Sequence, residues 1–120
     1  MITKLKLLKR LFNRLRLTNF NPISRIHIPY KTIWNMFKVI LCVDNKLLIG
    51  FKLFETSYNT LTLEYYDKSN NMVCVLDIDE NTFSMDFRND GLNGWYTDWF
   101  HDEIFSVKEI KKQLKKFKNE

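Results

Sequence analysis

No alanine occurs among the 120 residues, glycine occurs three times and proline twice. The missing alanine, beside abundant Lys, Asn, Ile, Leu and Phe, reads as AT-rich coding of the kind found in a low-GC bacterium or a phage. It concerns source, not function. With only Gly50, Gly91 and Gly94 available, no GxGxxG or GxxxxGK[ST] loop can cradle a phosphate. No GxSxG elbow presents a serine nucleophile. Cys42 and Cys74 sit among apolar residues without the basic setting that activates a thiol, so they read as two separate buried thiols. The longest apolar run, Val39 to Val43, is far short of a membrane span. The first residues lack an apolar core followed by a small-residue cleavage site, so a cytoplasmic protein is expected.

Acidic residues are missing altogether from residues 1–43, which carry nine Lys or Arg. Residues 44–107 hold twelve acids against four bases, and residues 108–120 six lysines against two glutamates. The three blocks carry +9, −8 and +4, which together make the chain's net +5. Segregation of this kind points to an acidic or polyanionic partner for the ends and a basic one for the middle.

A composition of 45% hydrophobic and 15% aromatic residues describes a folded chain. One domain over residues 1–120 is expected. Residues 33–88 read as five strands in series, with room for a sixth. Thr60 to Asp67 sets Leu61, Leu63 and Tyr65 against Thr60, Thr62 and Glu64. Thr82 to Arg88 sets Phe83, Met85 and Phe87 against Thr82, Ser84, Asp86 and Arg88. Both alternations describe half-buried strands. Ile33 to Val43 is apolar on both faces and reads as a strand covered on two sides, with Leu47 to Phe54 and Met72 to Ile78 intermediate. The short Asn- and Asp-rich connections Asp44–Lys46, Ser69–Asn71 and Asp79–Asn81 suit hairpins. The expected fold is therefore α+β, an antiparallel meander covered by terminal helices.

Residues 1–17 form the first of those helices. Leu5, Leu7, Leu8, Leu11, Phe12 and Leu15 gather on one arc, and Lys6, Lys9, Arg10, Arg14 and Arg16 on the other. Residues 18–32 form a connector, with Arg25–Ile28 as a short edge strand and Pro29 discouraging a new helix. Residues 106–118 form the second helix. Ser106 and Glu109 suggest a capping box, and Val107, Ile110, Leu114 and Phe117 an apolar stripe.

The chemistry-bearing residues are few. His27 lacks an orienting partner for base catalysis. Asp98, His101, Asp102 and Glu103 crowd one stretch, but neighbours in sequence rarely converge on one ion. Asp77 and Asp79 share a strand face and read as solvent-facing. No metal, cofactor or enzymatic activity is expected. The main expectation is a protein-binding module whose acidic and aromatic residues, Tyr66, Trp95, Tyr96, Asp98, Trp99, Asp102 and Glu103, block a basic partner. Such a partner would be a nucleic-acid enzyme with a cationic groove. In size and composition the chain suits a phage inhibitor or an immunity protein. The alternative is nucleic-acid binding by Lys6, Lys9, Arg10, Arg14, Arg16, Lys112 and Lys116, which requires the two basic helices to lie side by side. A membrane surface ranks behind both.

Overall fold

The computed structural model describes residues 2–25, 27–57, 60–66, 68–69, 72–87 and 100–118. Among them run α1 (Ile2–Leu17), α2 (Tyr30–Cys42), α3 (Asn45–Leu48), β1 (Phe51–Ser57), β2 (Thr60–Tyr66), β3 (Met72–Ile78), β4 (Thr82–Phe87), β5 (Phe100–Ile104) and α4 (Val107–Lys118). The strands form one antiparallel sheet in the order β1-β2-β3-β4-β5. The fold is the expected α+β arrangement, but its helical layer holds an element that the strand reading missed.

That element is α2. Residues 33–42 are helical, not a strand, Val43 caps the helix, and the fifth strand comes from residues 100–104 instead. Thr32, Asn35, Met36, Val39 and Ile40 are the buried residues of α2, and their spacing is that of one helical face. A continuous apolar run fits either period, and eleven residues is long for a strand. Pro29 occupies the N-cap position of α2; its fixed φ suits a helix entrance rather than preventing one. Asp44–Lys46 leads into α3 and forms no hairpin turn. Among the described residues of the expected edge strand, Arg25, His27 and Ile28, none is in a strand either. Instead the Asn19 amide donates to the Ile28 carbonyl (2.7 Å) and its oxygen accepts from the Ile28 N–H (2.6 Å).

Alternate residues of β1 to β4 enter a single core. Phe51 and Leu53, Leu61 and Leu63, Cys74, Leu76 and Ile78, and Phe83 and Met85 meet Leu7 and Leu11 of α1, the buried side of α2, and Ile110 and Leu114 of α4. One end of this core is aromatic. Tyr65 stands edge-on to Phe117 (5.5 Å) and beside Phe51 (5.2 Å), and Phe87 packs on Phe117 (5.4 Å). Lys118 closes it: its ammonium donates to the Ile49 carbonyl (2.7 Å) and lies 4.1 Å from the Tyr65 ring centroid. Burial there lowers the Lys118 pKa. Burial likewise pushes the Cys74 thiol up to about 12. Cys42 is exposed, and neither cysteine is in a disulfide.

Polar groups fix the layers to each other. Asn35, buried in α2, donates to the carbonyls of both Asp79 and Glu80, each at 3.0 Å, and so ties α2 to the β3–β4 turn. The Ser106 hydroxyl accepts from the Glu109 N–H (3.2 Å), but the Glu109 carboxylate accepts from Gln113 (2.9 Å), so only half of the capping box forms. No helix among the described residues is long and apolar enough to cross a membrane.

Two substitutions test this packing. Gly50 has φ +90, and a Cβ there would sit 2.6 Å from a Tyr65 ring carbon; Gly50→Ala should cost about 1–3 kcal/mol in urea unfolding. Asn35→Ala strands two turn carbonyls and should cost about 1–3 kcal/mol, with faster amide exchange at the β3–β4 turn as the local readout.

Candidate binding face on the sheet

The side of the sheet turned away from the helices is built by register. Lys52, Glu64, Val75 and Asp86 face one another across β1 to β4, and Phe54, Thr62, Asp77 and Ser84 form the next row. Because neighbouring strand residues point to opposite faces, these two rows share the non-helical side. Asp77 lies diagonal to Glu64 on one flank and to Asp86 on the other, about 7–8 Å by ordinary sheet geometry. Asp79 follows two residues along β3. Glu64, Val75, Thr62, Asp77, Ser84 and Asp79 line a groove of about 440 Å³ that also takes in Thr60, Met72 and Thr82.

The electrostatics follow from that crowding. The Thr62 hydroxyl donates to Asp77 Oδ1 at 2.6 Å. Burial raises the Asp77 pKa, Thr62 works against this, and Asp86, Glu64 and Asp79 add to the rise. The Tyr66 hydroxyl donates to Glu64 Oε1 at 2.7 Å, which raises the phenol's pKa. The Lys52 ammonium lies 5.8 Å from the Tyr66 ring centroid. Tyr66 thus stands at the rim of the carboxylates.

The other expected contact residues are distributed differently. Trp95, Tyr96, Asp98 and Trp99 lie outside the described residues. Asp102 is in β5, and Glu103 of the same strand is exposed. Glu103 pairs with Phe83, a core-facing residue, so register sets it on the opposite side from Asp77. Glu64, Asp77, Asp79 and Asp86 were the residues that sequence reasoning passed over as contacts. Their signal was present as polar alternation in Thr60–Glu64 and Thr82–Asp86, but only register brings the strands' polar sides together.

The two basic helices, which the nucleic-acid reading sets side by side, pack on other elements. α1 packs on α2, α3 and β1, while α4 packs on α2 and α3, so those two helices stand between the basic ones. Lys6, Lys9 and Arg16 are exposed on α1, as are Lys112 and Lys116 on α4. Arg14 is half-buried. Arg10 is engaged within the fold: its guanidinium donates to the Leu53 carbonyl and lies 5.1 Å from the Phe54 ring centroid. Lys111, in turn, pairs with Asp44 at 3.6 Å.

Among the described residues no three His, Cys, Asp or Glu side chains are placed to hold a metal ion. Comparison with models of protein families, with curated proteins and with solved structures finds no match to this chain.

Charged Asp77 works against the fold. Its folded-state pKa lies above the unfolded-state value, so the native state holds the proton more tightly and stability falls as pH rises through that window. Asp77→Asn keeps an oxygen for the Thr62 hydroxyl and removes the charge. It should raise Tm at neutral pH, with the gain shrinking to nothing as pH drops below the ordinary aspartate range; thermal melts across pH check this.

Proposed function

We propose that this protein is a small non-enzymatic binding module whose carboxylate-lined sheet face receives a basic protein and blocks it. The observation that carries the reading is the placement of Glu64, Asp77 and Asp79 around one groove, with Asp86 beside Asp77 on the same sheet face. Like charges held this close lower stability, and such a cost is commonly retained where a surface has work to do. A cationic partner would relieve the repulsion at Asp77 as it binds, so a carboxylate that weakens the free fold would strengthen the complex. Carboxylate against ammonium or guanidinium would steer the encounter, and Tyr66 at the rim would add an amphipathic contact. A partner whose own cationic groove holds nucleic acid fits this chemistry, which is that of an inhibitor or immunity-type protein. The two separate thiols suit a cytoplasmic place of action.

Affinity capture from the source cell, run in parallel with the native chain and with Glu64→Gln plus Asp86→Asn, tests the reading. A basic protein should be retained by the native chain and reduced at least about tenfold by the double variant, and raised salt should release it. Equal recovery on both chains, with the variant's circular dichroism unchanged, would refute it.

A further inference from the structure

We propose that the outer seam between α1 and α2 docks on an anionic lipid bilayer. The inference rests on the helical layer alone and is independent of the carboxylate face. Leu5 and Phe12 of α1 are 61% and 57% exposed, and Trp34 and Leu41 of α2 are 56% and 47% exposed. In each pair the spacing is seven residues, which on a helix puts both on one stripe about 20° apart. The two stripes border the same seam. On one flank α1 gives Arg10 to β1, and on the other the Lys4 ammonium donates to the Leu41 carbonyl at 2.9 Å. That bond joins the start of α1 to the end of α2, and the Asn19–Ile28 pair joins the opposite ends, so the helices run antiparallel with both stripes on the outer side of the layer. Leu7, Leu11, Met36, Val39 and Ile40 turn inward to the sheet.

Cations are interleaved with these apolar groups. Lys9 and Arg16 lie about 40° from Leu5 and Phe12 on the helix, and the Lys38 ammonium sits 6.0 Å from the Trp34 ring centroid. No acid occurs anywhere in residues 1–43. An occupant must therefore offer negative charge and apolar depth together. Nucleic-acid phosphates would satisfy the cations and leave Leu5, Phe12, Trp34 and Leu41 in water. A second copy would bring one cationic layer against another. An anionic bilayer takes both kinds of group, the apolar chains below the headgroups and the Lys and Arg among them.

The test uses the full chain with Trp95→Phe and Trp99→Phe, so that Trp34 is the sole indole. It is mixed with vesicles of phosphatidylcholine alone or phosphatidylcholine with phosphatidylglycerol. Co-sedimentation with the anionic vesicles only, a blue-shifted Trp34 emission, and weakening by salt are expected. Leu5→Glu plus Phe12→Glu should reduce binding about tenfold or more, and Lys9→Glu plus Arg16→Glu should abolish the preference for anionic lipid. Both variants alter exposed side chains, and circular dichroism verifies that they fold. No binding to anionic vesicles, or binding indifferent to the Leu5 and Phe12 changes, would overturn the proposal. So would a dimer that these changes dissociate, or duplex DNA binding that they leave intact without lipid binding.

Discussion

A sheet whose strands alternate apolar and polar residues has one face that must be kept from water, and the whole architecture depends on how that face is covered. Here the cover is a layer of helices centred on α2. Its buried residues touch β2 and β3 in the middle of the sheet, while α1 reaches β1 on one flank. Asn35 converts that apolar contact into a fixed position, because its amide satisfies two turn carbonyls at once. Hydrophobic burial supplies the attraction but little direction; paired hydrogen bonds from a buried side chain supply the register between layers.

The parts of the fold that were legible in the sequence are those with an unambiguous period. Thr60–Tyr66 and Thr82–Phe87 have one apolar and one polar face, and Met72–Ile78 ends where its turn residues say it should. The terminal helices were equally plain, because their leucines and lysines segregate on opposite arcs. Ile33–Val43 failed as a strand because nearly every position is apolar. With Trp34 and Leu41 outside and Met36 and Val39 inside, hydrophobicity alone does not mark the buried face. The deciding clues were length and the polar residues Thr32 and Asn35, which fall on the buried side of the helix.

The candidate binding face was harder to read for a different reason. Each strand showed its own polar side, but a groove is a property of several strands together. Asp77 draws its environment from Glu64 on β2 and Asp86 on β4, residues 13 and 9 positions away in the chain. Charge segregation along the sequence then becomes segregation in space. The acid-free first 43 residues form the α1–α2 side of the helical layer, and the acidic middle forms the sheet, whose polar side faces the opposite way. Apart from Lys52, which faces Glu64 in the acidic row, and Arg10, which reaches the Phe54 ring, the acids of β2 to β4 and the cations of α1 and α2 lie on opposite sides of the hydrophobic core, so each group keeps its own field.

Arg10 shows how this separation is compatible with a stable sheet. β1 is an edge strand, and unpaired edge groups invite pairing with another chain. The Arg10 guanidinium takes the Leu53 carbonyl on that edge and covers the Phe54 ring. A neutral or acidic residue at this position could not donate in the same way, and a lysine would lack the planar contact with Phe54. One cation of α1 is thereby spent on guarding the sheet, while Lys9 and Arg16 stay on the outer side. The basic character of the helix thus divides into two roles by angle around its axis, and net charge alone would have merged them.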